Sequence, residues 1–171
     1  GHYRYVVCPH GMAAKLVEAI GARRFEHLII DEAHEMRTPT AKRTLATYFL
    51  GDPKLANLAD ASDNVYALSG TPIWNWPTDL WPVMHSLVPT RIVNETGQVM
   101  GYDTFAERFT VRRVTRYGLR PCLARNLPEL TQRLDGWMLR RKKETLLNLP
   151  PIRRGRVTLE PSLPAGSEEE W

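Results

Sequence analysis

The stretch Leu28-Ile29-Ile30-Asp31-Glu32-Ala33-His34 decides how the chain folds. Three apolar residues run straight into two adjacent carboxylates. That is the pattern of a buried parallel strand delivering acids to the carboxyl edge of a sheet, where ligands of open α/β sheets sit. An Asp at that edge can hold Mg²⁺, usually through water, while the neighbouring Glu orients or deprotonates an attacking water. A strand end with two solvated acids and a nearby His is the other reading, and the flanking sequence has to choose between them.

Upstream, Tyr3–Cys8 has the composition of a short strand closed by Pro9-His10-Gly11. Met12, Ala13, Leu16, Val17 and Ile20 recur at helical spacing, with Gly21 as the stop, and the next strand spans Phe25–Asp31. Strand, helix and strand in so short a span form a βαβ unit, the building block of parallel sheets. Downstream, Thr38-Pro39 predicts a helix start, with the helix running to Leu50 and stopping at Gly51-Asp52-Pro53. A second helix over Lys54–Ala61 and a turn at Ser62-Asp63-Asn64 lead to a third strand, Val65–Leu68. That strand ends in Ser69-Gly70-Thr71-Pro72, which places small hydroxyls and a close-approach backbone at the same edge as the acids. From there Ser69 and Thr71 can hydrogen-bond Asp31, Glu32 or His34.

Pro77 predicts a further helix with Leu80, Trp81, Met84 and Leu87 as its apolar stripe, and Trp74, Trp76 and Trp81 read as packing residues. Arg91–Gly101 reads as a loop or hairpin, Tyr102–Phe109 as a short helix, and the Arg-rich Val111–Arg125 as an irregular insertion. Leu127–Leu134 is amphipathic behind an Asn126 cap, Arg156–Glu160 reads as a strand, and Pro161–Trp171 as a Pro/Ser/Glu-rich linker or truncated end.

Composition narrows the class. A chain of 171 residues with 43% hydrophobic and 25% charged residues matches a soluble globular domain with one sizeable core. No apolar run approaches the roughly 20 residues that span a bilayer, and Gly1-His2-Tyr3-Arg4 has neither an initiator Met nor a signal-peptide pattern. Cys8 and Cys122 lie in unrelated contexts and read as reduced thiols of a cytosolic or nuclear protein. Cys8-Pro9-His10 lacks the second Cys/His pair that a zinc site needs. Charge is unevenly spread, since residues 108–156 hold 14 Lys/Arg against 3 Asp/Glu on a chain of net charge +4. Such a block suits a polyanion or a solvated basic face equally well.

Three blocks stand in order: "LIIDEAH" (28–34), "LSGTPIWN" (68–75) and "WMLRRKKETLLNLPP" (137–151). Together they resemble the first RecA-like lobe of the SWI/SNF-type helicase-like ATPases of helicase superfamily 2, with motif II in the first block and motif III in the second. The third block separates that family from DEAD- and DEAH-type RNA helicases. Tyr102–Asn126 followed by "NLPELTQRLDGWMLRR" is most similar to the annealing-helicase-like branch.

The resemblance implies an α/β, RecA-like P-loop NTPase lobe over residues 1–160, a parallel sheet flanked by helices, followed by the 161–171 linker. It implies ATP and Mg²⁺ as cofactors, with Asp31 organising the metal through water and Glu32 activating the hydrolytic water. His34, Ser69, Gly70 and Thr71 would couple hydrolysis to movement between lobes. Arg140 and Arg141 would face the second lobe or the DNA. The implied partner is double-stranded or branched DNA, held through its phosphate backbone, and the implied location is nuclear in a eukaryote, or cytoplasmic and nucleoid-associated in a prokaryote or virus.

Departures bound these expectations. The family's phosphate cradle ends in Gly-Lys-Ser/Thr, yet none of the 11 glycines is followed by Lys. The cradle is therefore expected upstream of Tyr3, the second RecA-like lobe beyond Trp171, and the 171-residue chain alone is expected to be inactive. "IWN" stands where "IQN" is usual, and after the DEAH box Arg37 keeps only the charge of the commoner Lys-Asn pattern. The rival is a non-catalytic degenerate lobe that binds DNA or protein through its basic block.

Overall fold

The computed structural model describes residues 5–20, 23–116 and 118–141. The chain divides into two units, one ending at Trp137 and the other beginning at Met138. All elements named below belong to the first. The expected strand at 156–160 and the 161–171 linker lie outside the described residues.

Helix α1 (Ala13–Ile20) precedes strand β1 (Phe25–Ile30), helix α2 (Lys42–Thr47) and strand β2 (Ser62–Ala67). β1 and β2 pair in parallel, from Phe25 opposite Ser62 to Ile30 opposite Ala67, and α2 lies in the crossover that parallel pairing requires. The α1 stripe joins Ala46 and Leu58 in one apolar cluster with Phe25 and Leu28 packed on it. A second cluster gathers Ile30, Met36, Tyr48 and Ala59 against Val65, Val83 and Leu87. These clusters cover one face of the two strands. The other is open, with Ile29 at 65% exposure opposite Tyr66 at 48%. Of the three apolar residues that lead into the acids, only Ile30 is fully buried.

Four further boundaries differ from the sequence pattern. Residues 5–8 form no strand, because no described strand offers them a ladder; Val7 is 97% exposed. α2 starts at Lys42, not Thr38, and ends at Thr47, where Tyr48 turns to an extended conformation and buries its ring. The helix expected over Lys54–Ala61 is absent. Its amides reach outward instead, Leu58 donating to the Ala46 carbonyl and Ala59 to the Thr47 carbonyl. Asn57 further competes with helix by binding both the amide and the carboxylate of Asp60. Ser62–Asn64 belongs to β2 rather than to a turn.

The second half is held by aromatic packing. Pro77–Leu80 is a 3₁₀ turn that feeds helix α3 (Trp81–Leu87), with Pro77 in the first turn, where no amide donor is needed. Trp81 is buried, donates its indole N–H to the Met100 carbonyl at 2.9 Å, and meets Tyr102 edge-on. Helix α4 (Tyr102–Phe109) buries Phe105 and Phe109, whose rings lie 4.7 Å apart. Asn94-Glu95-Thr96-Gly97 closes a tight turn, as expected, with Val93 bridging Val99.

Val111–Arg125 is not irregular. β3 (Thr110–Thr115) and β4 (Gly118–Ala124) form an antiparallel ribbon with one register shift at Val111/Arg112. No period is visible in the sequence because both faces are largely exposed, which removes the usual apolar–polar alternation. Helix α5 (Leu127–Leu134) follows Asn126, which adopts a left-handed conformation and donates its side-chain amide to the Arg108 carbonyl rather than capping the helix.

Glu129 of α5 ties these parts together, accepting from Arg108 at 2.8 Å and 3.0 Å and from Arg133 at 2.8 Å. Burial alone would raise its carboxyl pKa, but the two guanidinium groups outweigh burial and hold it below its ordinary value of 4.5. A carboxyl with a depressed folded pKa stabilises the fold above its unfolded pKa, and that contribution fades as pH falls through the folded one. Glu129→Gln is therefore expected to cost about 1–3 kcal/mol near neutral pH. In urea melts the gap from wild type should shrink steadily as the solution is acidified below the ordinary value. A gap independent of pH would contradict the charge-assisted role.

Candidate functional site

The ends of β1 and β2 are stitched together beyond the strands themselves. Leu68 donates its amide to the Ile30 carbonyl and Ala33 donates to the Leu68 carbonyl, each at 2.8 Å. Between these two bonds the backbone turns at Glu32, which sits at φ 47°, ψ 47°. Left-handed backbone is uncommon for a residue other than glycine and costs free energy. Here the turn carries the chain off the strand into the 3₁₀ segment Ala33–Met36. Asp31 braces it by accepting the Glu32 amide at 3.0 Å.

The geometry brings four of the expected site residues together. His34 is 9% exposed at its side chain, with Nδ1 3.0 Å from Ser69 Oγ and 3.1 Å from a Glu32 carboxylate oxygen. A carboxylate and a hydroxyl oxygen flanking one ring nitrogen favour the tautomer that carries its proton on Nδ1 and shares it between them. Ser69 Oγ in turn accepts the Thr71 amide at 3.1 Å. A continuous polar path thus runs from Glu32 through His34 and Ser69 to Thr71. Asp31 sits one residue from its start.

Three residues outside the expected set complete the cluster. Trp74 stacks on His34, ring centroids 5.0 Å apart and planes 10° from parallel, while Trp74 itself is 56% exposed. Arg37 lies 5.8 Å over the Trp74 ring and donates to the His34 carbonyl at 3.2 Å. Glu35 approaches His34, Arg37 and Arg43, at 3.7, 3.8 and 3.2 Å. Of the three tryptophans expected to pack, Trp81 enters the core and Trp74 instead covers His34. The departure of "IWN" from "IQN" was the available signal, since an aromatic three residues after Thr71 can cap a histidine that faces Ser69. Gly70 lies in the connecting bend, with open space where a Cβ would stand. Arg140 and Arg141 are exposed and lie in the unit that begins at Met138.

A family model described as the SNF2-related domain matches residues 3–162. The chain belongs to this family. It is 30% identical over 169 residues to the Homo sapiens protein "DNA annealing helicase and endonuclease ZRANB3", a match that covers 93% of the chain and 14% of the relative. The Bos taurus counterpart is 31% identical over 165 residues, with the same coverage. The Drosophila melanogaster "SWI/SNF-related matrix-associated actin-dependent regulator of chromatin subfamily A-like protein 1" is 27% identical over 165 residues, covering 95% of the chain and 20% of that protein. The chain thus spans only about a seventh to a fifth of the length of these relatives. No solved structure matches it.

As an SNF2-related domain the chain is a partial RecA-like α/β lobe, and its relatives agree with an annealing-helicase-like branch of the SWI/SNF-type family. Among the described residues no group of three or more His, Cys, Asp or Glu is placed to hold a metal. Asp31 has one oxygen turned to its own backbone and is otherwise exposed. Mg²⁺ is commonly held in this way, by one or two carboxylates together with water and substrate phosphates. Among the described residues no helix is long and apolar enough to cross a membrane.

Proposed function

We propose that this SNF2-related domain is the acid-bearing part of the ATP-binding lobe of a longer DNA-dependent ATPase, one that couples ATP hydrolysis to translocation on, remodelling of, or annealing of duplex or branched DNA. The contact of His34 with both Glu32 and Ser69 carries this reading, because one ring nitrogen lies within hydrogen-bond reach of both motifs. The left-handed backbone of Glu32 supports it too, since strained residues cluster at active sites and switch regions. The relatives' names, one a DNA annealing helicase and the other a regulator of chromatin, support the partner class.

In this account Asp31 would hold Mg²⁺ through water, and the ion would supply charge neutralisation for the phosphates of ATP. Glu32 aligns a water with the γ-phosphorus and accepts its proton. As the new P–O bond forms, the bond to the ADP oxygen breaks, and ADP and phosphate result. His34 senses the Glu32 carboxylate on one side and holds Ser69 on the other, so a change at the phosphates reaches the Ser69-Gly70-Thr71 loop. Arg140 and Arg141 face the second lobe or the DNA backbone. Residues 1–160 form the lobe, 161–171 a linker, and a Gly-Lys-Ser/Thr cradle and the second lobe are supplied by other parts of the protein. The 171-residue chain alone then hydrolyses ATP negligibly. The location follows the DNA, nuclear in a eukaryote or nucleoid-associated in a prokaryote or virus.

Ser69→Ala in the intact protein tests the link. It removes one hydroxyl from an exposed loop and leaves both acids in place. ATP turnover should stay within about threefold of wild type, while duplex-driven movement in a triplex-displacement assay drops about tenfold or more, equivalent to about 1.4 kcal/mol of lost coupling. Equal loss of both activities, or of neither, would contradict a coupling role. The 14 Lys/Arg against 3 Asp/Glu in residues 108–156 also suit one rival, a non-catalytic degenerate lobe that binds DNA or protein through this basic block.

A further inference from the structure

The β3–β4 ribbon presents an electrostatic arrangement that folding alone does not explain. Arg113 stands directly opposite Arg120 in the antiparallel register. Opposed cross-strand residues have Cβ atoms only about 5 Å apart, and like charges so placed destabilise a ribbon. Both are exposed, and among the described residues neither has a carboxylate partner.

Acids are available nearby, but they are committed elsewhere. Arg112, one residue along and on the opposite face, takes Asp103 at 2.9 Å and Glu107 at 2.8 Å, both on α4, and is left 11% exposed. Arg108 takes Glu95 and Glu129. Arg125 donates to the carbonyls of Arg108 and Glu107, and its amide donates to the Phe109 carbonyl. The base of the ribbon is therefore clamped to α4 while its outer half projects. Val114, opposite Leu119, is 83% exposed and Leu119 is 50% exposed, so the face behind Arg113 and Arg120 is uncovered too.

We propose that this ribbon is a DNA-contacting arm, with Arg113 and Arg120 gripping phosphates of a duplex. The proposal rests on the DNA-dependent reading above and adds to it the surface that makes the contact. A two-stranded ribbon has the width that the major groove admits, and two cations on one face of a clamped ribbon can meet adjacent phosphates without reading sequence. The repulsion between the two arginines is relieved when phosphates lie between them, so stability is given up for binding. An acidic protein surface would satisfy the same charges, and the test separates that case.

The test uses the intact protein, a fluorescent mixed-sequence duplex, and anisotropy read across a salt series. Arg113→Ala/Arg120→Ala should bind about tenfold or more weakly at moderate salt. Its log–log salt slope should be shallower by about two, because each phosphate contact contributes about 0.9. Thermal melts should show the double variant at least as stable as wild type, since a like-charge pair has gone. Arg113→Lys/Arg120→Lys should keep the slope. Val114→Thr/Leu119→Thr, which changes no charge and places a β-branched residue at both positions, should bind within twofold of wild type.

Wild-type binding unchanged in the double Ala variant overturns the arm and leaves the DNA reading intact, redirecting Arg113 and Arg120 to a protein partner. Absence of any salt-dependent duplex binding by the intact wild-type protein overturns both. An equal loss in the Thr variant shows that ribbon shape rather than the arginine pair governs binding, and also overturns the proposal.

Discussion

Glu32→Gln in the intact protein is expected to cut ATP turnover by about 10²- to 10⁴-fold, the range that a positioned general base supplies. Its side chain is 59% exposed, and its left-handed backbone suits Gln no worse than Glu. Folding stability should therefore move by no more than about 0.5 kcal/mol, as for other surface substitutions. Nucleotide affinity, read with a fluorescent ATP analogue, should hold, because Asp31 and the phosphate-binding groups are untouched. The amide also keeps an oxygen for the His34 proton, so the His34–Ser69 contact survives. Unaltered turnover would remove Glu32 from the chemistry and favour the binding-module reading. Lost turnover together with lost nucleotide affinity would place Glu32 in binding rather than in water activation.

Phe105→Ala should have the largest effect on the fold. Phe105 is fully buried, and its ring packs on Phe109 with centroids 4.7 Å apart. Truncation removes a large, fully buried apolar side chain and leaves a cavity beside Phe109. Buried Phe-to-Ala changes cost about 3–5 kcal/mol, a large part of the roughly 5–15 kcal/mol that holds a domain together. Urea denaturation of the 171-residue chain gives the value directly. Since α4 also anchors the ribbon through Asp103 and Glu107, duplex affinity should fall with it. A cost under about 1 kcal/mol would mean that this half of the chain is not the cooperative core described above.

The parts legible in the sequence were those in which one local cause dominates. Asp31 and Glu32 follow an apolar run, so their delivery to a sheet edge could be read directly, and the SGTP stretch had only one place to go once β2 paired with β1. Tyr102–Phe109 and Leu127–Leu134 were legible because each carries an amphipathic stripe. Tertiary contacts hid the rest. Lys54–Ala61 has helical composition, but its amides are claimed by the carbonyls of Ala46 and Thr47. The β3–β4 ribbon lacks alternation because water lies on both faces. Trp74 was readable as an aromatic but not as the cap on His34, since that contact joins two loops 40 residues apart. The site's partners Arg37 and Glu35 are ordinary surface charges until the 3₁₀ turn brings Arg37 against the Trp74 ring and Glu35 beside His34.

The central claim, that this lobe belongs to a DNA-driven ATPase, is tested most directly by ATP turnover of the intact protein during titration with mixed-sequence duplex. Turnover that rises with duplex, saturates, and weakens as salt is raised is the predicted result. Turnover that is absent, or indifferent to duplex at every salt concentration, would contradict it.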